Sequence, residues 1–301
     1  MSAASNGVSQ AELDYTQLEQ KVLAWAEALG DIRAAIVVGS RARLDHPADE
    51  WSDLDLILFT TDPAAYVTNT DWLAAIGEVW LAVLDQTGRG DPEWLVLFEG
   101  ALKVDFVLAA VTDGDAGARP SVWQMMAASP YRRVFRRGVR VLFDKNAPGS
   151  QSSPPVPEQP PERHPSLEEL TALVEHVLYD GVRAAKLLRR GDLWRAKRLC
   201  DCDLKQRLLS LIEWHARALY GLERDVWHGG CFLEEWANRQ ALAALPATFA
   251  AYDRDDLQRG LLATLELCRR LAMETAERLG YAYPSGSDGR IMSWVRTTLA
   301  E

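Results

Sequence analysis

One segment near the N-terminus, VVGSRARLDHPADEWSDLDLILFT (37–60), constrains the fold and chemistry of this chain more than any other. An apolar strand predicted over Ile32–Val38 precedes a polar loop, and a second apolar strand then opens with Asp53 and Asp55. Because side chains alternate along a strand, the two carboxylates are expected on one face. Adjacent carboxylates repel each other, and a divalent cation such as Mg²⁺, which prefers oxygen ligands, would neutralise them.

The turn after the first strand has the composition of a phosphate-binding loop. Gly39 and Ser40 offer backbone N–H groups and a hydroxyl, which are the groups that hold a phosphate. A phosphate-binding turn beside a metal site predicts phosphoryl or nucleotidyl transfer.

A third carboxylate, Asp105, lies in the alternating strand LKVDFVL, where burial would favour an apolar residue. Three carboxylates that bridge two metal ions can stabilise the attacking and leaving oxygens of an in-line displacement. Taken singly, Asp53 could cap a strand and Asp105 could be an exposed position on an edge strand. The combination of the Gly-Ser turn, twelve intervening residues, D-x-D and a later strand aspartate favours the functional interpretation.

The composition narrows the classes of partner. The net charge is −10, and residues 1–150 carry 21 Asp and Glu against 13 Lys and Arg. This balance disfavours nucleic acid and is compatible with a small cationic partner, although acidic surfaces also serve solubility. No apolar run approaches the length of a membrane span, and the N-terminus has no signal-peptide pattern. Four cysteines without framework spacing predict free thiols and a cytoplasmic protein.

The first half of the chain reads as a mixed α/β domain. A helix is predicted over 11–29, and further helical stretches over 62–76 and 121–128. Strands are predicted over 32–38, 54–60, 79–84, 94–98, 102–109 and 139–143.

A proline-rich stretch then divides the chain. Seven of the 14 prolines lie within 146–165, which predicts an extended linker. The predicted organisation is a first domain over 1–147, a linker over 148–165 and a second domain over 166–301. The second domain is expected to be an α-helical bundle, with helices predicted over 166–190, 193–220, 232–245 and 255–279.

Six segments together resemble the aminoglycoside 6-adenylyltransferases, the streptomycin-adenylylating family of the nucleotidyltransferase superfamily. They are GSRARLDHPADEWSDLDLILFTTD, KVDF, VLFDKNAP, RRGDLWRAKRLCDCDLKQRLLSLIEWHARA, WHGGCFLEEW and YDRDDLQRGLLATLELCRRLAMETAERLGYAYP. The resemblance covers nearly the full length and implies an α+β protein. Its N-terminal domain would have a nucleotidyltransferase-type mixed sheet with flanking helices, and its C-terminal domain would be the helical bundle.

The resemblance also implies an activity and its partners. AMP would pass from ATP to a hydroxyl of a cationic aminoglycoside such as streptomycin (6-position), with release of pyrophosphate and with two Mg²⁺ ions. The enzyme would confer antibiotic resistance and act as a monomer or homodimer, without nucleic acid or membrane.

Residue by residue, the resemblance assigns the triphosphate to Gly39, Ser40 and Arg41. It assigns the metal to three aspartates already singled out by their spacing, Asp53, Asp55 and Asp105.

An attacking hydroxyl needs a general base, which in this family comes from the helical domain that closes over the site. Asp201 is at the position that matches the family's base most closely, and Asp203, Asp192 and Glu175 are the alternatives. Asp201 could also be an ordinary exposed helix carboxylate. Lys205 lies four residues from Asp201, and it would either contact a phosphate of ATP or form an exposed i,i+4 pair.

Two other functions stay open. A nucleotidyltransferase of the same fold could act on another small-molecule or protein acceptor, since acceptor choice depends on pocket shape. A non-catalytic nucleotide-binding module would be expected to lack a motif carboxylate, whereas all three are present. Among the tryptophans, Trp194, Trp214 and Trp236 have core spacing, while Trp51 or Trp227 could pack on adenine or a sugar ring.

Overall fold

A computed structural model of the protein describes residues 10–43, 45–112, 120–128, 135–146, 162–283 and 286–300. The chain separates into two compact units, Met1–Pro160 and Pro161–Glu301. The predicted linker over 148–165 falls largely on 147–161, outside the described residues, so it stays a prediction. We call the two units the sheet unit and the helical unit.

The sheet unit contains one six-stranded mixed sheet. Its strands are β1 (Ile32–Val38), β2 (Leu54–Thr60), β3 (Val79–Gln86), β4 (Pro92–Phe98), β5 (Leu102–Ala110) and β6 (Arg140–Asp144). The spatial order is β3-β4-β5-β2-β1-β6. Strands β2 and β5 are parallel, and every other neighbouring pair is antiparallel. The predicted mixed sheet is therefore confirmed.

Helices cover both faces of this sheet. They are α1 (Gln10–Ala28), α2 (Pro63–Thr68), α3 (Asp71–Ile76) and α4 (Val122–Ala128). Alternate residues of β1 and β2 enter two separate cores, one containing α1 and the other containing Met125 and Met126 of α4. Burial on both faces explains why β1 and β2 read as continuous apolar runs rather than as alternating ones. The helical stretch predicted over 62–76 is two short helices.

The helical unit contains no strand among its described residues. Its elements are α5 (Leu167–Arg189), α6 (Leu193–Arg198), a π-helical turn (Leu199–Asp203), α7 (Leu204–Tyr220), α8 (Leu233–Trp236), α9 (Arg239–Ala244), α10 (Arg254–Leu279) and α11 (Asp288–Ala300). This arrangement confirms the predicted helical region. Helix α5 begins at a capping box formed by Ser166 and Glu169, and α10 ends at Gly280 with a positive φ of 71°.

Helix α10 forms the centre of this unit and packs against α5 and α7 through apolar side chains. Two of the sequence expectations need correction. Trp194 is 71% exposed rather than in the core, and the helix predicted over 232–245 is broken between α8 and α9. Trp236 is buried as expected. All four cysteines are free, and no described helix has the length and apolarity needed to cross a bilayer.

Candidate active site

Three carboxylates come together on two neighbouring strands of the sheet unit. Asp55 of β2 lies directly opposite Asp105 of β5 in the parallel register. Asp53 comes just before β2, which begins at Leu54 as its predicted bounds require, so of the two aspartates only Asp55 lies within the strand. Side-chain oxygens of Asp53 and Asp105 nevertheless meet at one point, because both contact the same nitrogen atom.

That nitrogen belongs to Lys103, which the sequence analysis did not identify. Its Nζ lies 2.7 Å from Oδ2 of Asp53 and 3.1 Å from Oδ2 of Asp105. Although burial acts to lower it, the hydrogen bonds to these two carboxylates raise the pKa of Lys103 above its ordinary value. The signal was present in the sequence: Lys103 is two residues before Asp105 on the same strand, and therefore on the same face.

Asp55 is in an unfavourable environment for a negative charge. Burial, and then the charge of Asp105, raise its pKa from 3.8 to about 6. Glu93 of β4 lies near the same group, and burial followed by the charge of Asp105 raises its pKa as well. This end of the sheet therefore carries more negative charge than Lys103 neutralises.

Gly39 is the residue that lets the turn after β1 approach Asp55. Its φ is +68°, and a Cβ at this position would lie 2.1 Å from Oδ2 of Asp55. A side chain here would collide with the carboxylate, so the close approach requires glycine. Gly39, Ser40 and Arg41 form one 3-10 turn beside the carboxylates.

Arg41 connects this turn to the loop before β2. Its Nη2 donates to the carbonyl of Ser52 at 3.0 Å and its Nε to the carbonyl of Asp53 at 3.2 Å. The guanidinium carbon lies 3.8 Å from the ring centroid of Tyr15, and the Tyr15 hydroxyl accepts from the backbone N–H of Lys103 at 3.0 Å. Arg41 and Tyr15 thus fix the backbone that presents Asp53 and Lys103.

The donor set fits a divalent cation. Oδ1 of Asp105 is buried and has no hydrogen-bond partner among the described residues, so one oxygen of the group is left for a further cation. The described residues contain no cluster of three or more Asp, Glu, His or Cys side chains already arranged around a common metal position. An ammonium group instead lies between two of the three carboxylates, and carboxylate oxygens are the ligands that Mg²⁺ prefers.

The remaining predicted residues belong to the helical unit. Asp201 lies in the π-helical turn, a rare backbone form that is often found at functional sites, and it pairs with Lys197 rather than with Lys205. Asp203 ends the same turn, Asp192 pairs with Arg195, and Glu175 is exposed on α5.

Lys205 is directed into the helical unit. Its Nζ donates to Oγ1 of Thr264 at 3.1 Å and to the carbonyl of Cys200 at 3.3 Å, and it lies 5.1 Å from the ring centroid of Phe249. Burial lowers the pKa of Lys205. The exposed i,i+4 pair with Asp201 that the sequence allowed does not form.

Two exposed aromatic side chains of the helical unit lie close to each other. Trp194 of α6 and Tyr252 are 71% and 57% exposed, and their ring centroids are 6.3 Å apart. Trp51, next to the metal motif, is 82% exposed, whereas Trp227 is buried. Helical periodicity alone did not reveal that Trp194 is exposed.

Comparisons with known proteins agree with the motifs. The sequence profile of the streptomycin adenylyltransferase family matches residues 14–298. The aminoglycoside 6-adenylyltransferase of Bacillus subtilis (strain 168) is 22% identical over 271 residues, which cover 87% of this chain and 90% of that protein. The aminoglycoside 6-adenylyltransferase of Campylobacter jejuni is 21% identical over 278 residues, which cover 87% of this chain and 88% of that protein.

Among solved structures, the crystal structure of an aminoglycoside 6-adenyltransferase from Bacillus subtilis aligns with 97% of this chain and 99% of its own. The sequence identity is 16% and the TM-score is 0.44. The resemblance inferred from the motifs is confirmed by the family profile, which extends through both units. The chain therefore belongs to the streptomycin adenylyltransferase family, a family of nucleotidyltransferase enzymes.

Proposed function

We propose that the protein transfers AMP from ATP to a hydroxyl of an aminoglycoside such as streptomycin (6-position), releases pyrophosphate and thereby confers resistance. The observation that carries this proposal is the group of Asp53, Asp55 and Asp105, which has more negative charge than its one paired lysine balances. Family membership supports the nucleotide and the acceptor class.

The three aspartates would hold two Mg²⁺ ions. When bound, Mg²⁺ supplies charge neutralisation and polarisation of the phosphates. Asp55 and Asp105 are held in position by the register of two paired strands, and Asp53 by the loop that Arg41 fixes. Because rigid elements support the three carboxylates, they would hold the metal ions and the phosphates accurately in position for the transfer.

The turn at Gly39 would receive the triphosphate. Gly39 would let the backbone approach a phosphate closely, and Ser40 would add a hydroxyl donor. For Arg41 we propose an indirect role, because its guanidinium already bonds two carbonyls of the motif loop. In the reaction the acceptor oxygen forms a bond to the α-phosphorus, the bond from that phosphorus to the bridging oxygen breaks, and pyrophosphate leaves.

The proton of the acceptor hydroxyl needs a base, and for this role we propose Asp201. Its position in the π-helical turn supports the choice, as does its proximity in sequence to the exposed Trp194. Asp203, Asp192 and Glu175 are the alternatives. Lys205 is a poorer candidate for contact with ATP than the sequence suggested, because Thr264 and a backbone carbonyl occupy its ammonium group.

Cationic acceptors fit the aromatic pair of the helical unit. Trp194 and Tyr252 present exposed rings, and Asp192 is one residue from the start of α6. Aromatic faces attract cations and provide flat surfaces for sugar rings. We therefore propose that this surface contributes to acceptor binding.

The test is incubation of the protein with ATP, Mg²⁺ and a panel of aminoglycosides that includes streptomycin. We expect pyrophosphate and an acceptor heavier by one AMP, which mass spectrometry identifies and NMR assigns to a hydroxyl. An adenylylated product formed only with another class of acceptor would support the proposed adenylyl transfer and contradict the proposed substrate. Absence of pyrophosphate with every acceptor would contradict the proposal.

A further inference from the structure

We propose that Lys103 is a built-in counter-ion that occupies a cation position between Asp53 and Asp105 while no metal is bound, and that a divalent cation displaces it. The inference rests on the proposed function, since it assumes that these carboxylates bind metal. Lys103 would thus be a positioning residue that keeps the carboxylates together and sets how tightly the metal binds.

The contacts of Lys103 carry the first step. Its Nζ lies within 3.1 Å of an oxygen from each of Asp53 and Asp105, which approach from separate segments of the chain. Any cation that bridges these two carboxylates from the same side must compete with the ammonium group. Among the described residues, Lys103 is the side chain that forms ion pairs with this group.

The second step concerns what is left unpaired. Oδ1 of Asp105 is buried without a hydrogen-bond partner among the described residues, and Asp55 has a hydrogen bond to none of the described cationic side chains. One ammonium therefore satisfies two of the three carboxylates and only one oxygen of Asp105. A divalent ion carries twice the charge in a smaller volume, so the group has residual attraction for it.

The third step is that the ammonium group is able to leave. The Lys103 side chain is 39% exposed and ends in a flexible four-carbon stem, so its charged group can turn to water without disrupting the core. Arg41 contrasts with it, because its guanidinium is held by two carbonyls and the Tyr15 ring. Lys103 is thus the exchangeable cation of the site, and Arg41 is the fixed one.

The experiment compares Mn²⁺ binding to the full-length wild-type protein, Lys103→Met and Lys103→Arg by calorimetry. Methionine keeps the apolar stem and removes the competing charge, so we expect Mn²⁺ to bind about tenfold more tightly. Arginine can hold both carboxylates with its planar group, so we expect binding several-fold weaker than in wild type. Lys21→Met, on the exposed face of α1, is the matched control and should bind like wild type.

Thermal unfolding supplies a second measurement on the same proteins. Without Mn²⁺, Lys103→Met should unfold at a lower temperature than Lys21→Met, because Asp53 and Asp105 lose their paired ammonium. Saturating Mn²⁺ should remove most of that difference. If Lys103→Met does not fold, weaker Mn²⁺ binding by Lys103→Arg still supports the proposal, and binding equal to wild type overturns it.

The outcomes separate this inference from the proposed function. Equal Mn²⁺ affinity in wild type and both Lys103 variants would overturn the counter-ion while leaving a metal-dependent enzyme. Weaker binding by Lys103→Met would also overturn it, since the lysine would then assist the metal. The expected affinities without any adenylylated product would support the counter-ion and reject the proposed acceptor chemistry.

Discussion

The two units balance the charge of their carboxylates in opposite ways. In the sheet unit, Asp53, Asp55 and Asp105 lie near a single ammonium, that of Lys103, which forms ion pairs with Asp53 and Asp105. In the helical unit, Asp180 of α5 is 2% exposed and is held by two guanidinium groups. They belong to Arg183, at 2.8 Å, and to Arg207, at 3.0 Å.

The difference separates a structural carboxylate from a functional group of carboxylates. Asp180 has two cations for one charge, so folding satisfies both of its oxygens. The sheet-unit group is left with unbalanced negative charge and an unpaired oxygen on Asp105, an arrangement that reduces stability unless something binds there. The two kinds of site also differ in burial, since Asp180 is 2% exposed whereas the side chains of Asp53 and Asp105 are 40% and 16% exposed.

The strongest test of the contrast is Asp55→Asn, which removes one charge from the site and preserves its shape. Loss of a metal ligand should reduce adenylyl transfer by about 1000-fold or more, since metal binding contributes several kcal/mol to transition-state stabilisation. The measurement is pyrophosphate release under saturating ATP and Mg²⁺. Asp85→Asn, at an exposed carboxylate of β3, is the control and should keep wild-type activity. Full activity in Asp55→Asn would place the metal elsewhere.

The second test concerns the helical unit, where the substitution should change stability and leave metal binding unchanged. Asp180→Asn leaves Arg183 and Arg207 without their shared carboxylate and should lower the free energy of unfolding by about 3 kcal/mol. Mn²⁺ affinity of the folded protein should not change. Urea unfolding measures the first quantity and calorimetry the second. Glu175→Gln, exposed on the same helix, should change stability by less than about 0.5 kcal/mol. Wild-type stability of Asp180→Asn would contradict the structural role assigned to Asp180.

Gly39→Ala tests how closely the turn approaches the carboxylates. We expect a loss of about 2 kcal/mol in stability, from the positive φ and from the collision of Cβ with Asp55, together with weaker Mn²⁺ binding. Gly191→Ala is a matched control, because Gly191 has a φ of +71° but no atom within 4 Å of the position that a Cβ would take. It should share the backbone strain and keep wild-type Mn²⁺ affinity. Equal effects of both substitutions on Mn²⁺ binding would rule out the collision as the cause.

The sequence identified the elements that local patterns determine. Strands β1 and β2 have the predicted bounds, because their apolar runs are limited by Gly39 and by the polar loop. The proximity of Asp55 and Asp105 also followed from the motif, although the parallel register that produces it became visible only in the fold.

Contacts between distant positions could not be predicted in this way. Lys103 meets Asp53 across 50 positions of sequence, and Arg207 meets Asp180 across 27. Such ion pairs depend on strand order and helix packing, which no period in the sequence encodes. Trp194 was misplaced because Gly191 interrupts the helices, so the periodicity of α5 does not determine which face of α6 is buried.

The smallest expected effect is on the pH dependence of stability, which also distinguishes the two kinds of carboxylate. Asp55 has a pKa of about 6 in the folded protein against an ordinary 3.8. At a pH between these two values, Asp55 therefore keeps its proton in the folded state and has lost it in the unfolded state. The contribution of Asp55 to the free energy of unfolding must therefore fall as pH rises from about 4 to about 6, and stay low above that. One pKa unit corresponds to about 1.4 kcal/mol, and solvent around this half-buried carboxylate reduces the expected loss to about 1–2 kcal/mol.

The measurement is urea unfolding in EDTA across this pH range, for wild type and Asp55→Asn. The variant has no charge to bury, so its stability should exceed that of wild type above pH 6 and match it near pH 4. Saturating Mg²⁺ at pH 7 should restore wild type, because the ion stabilises the same ionised carboxylate that the metal-free fold disfavours. If wild type and variant keep a constant difference across the range, the charge of Asp55 is already balanced in the metal-free protein, and the contrast with Asp180 disappears.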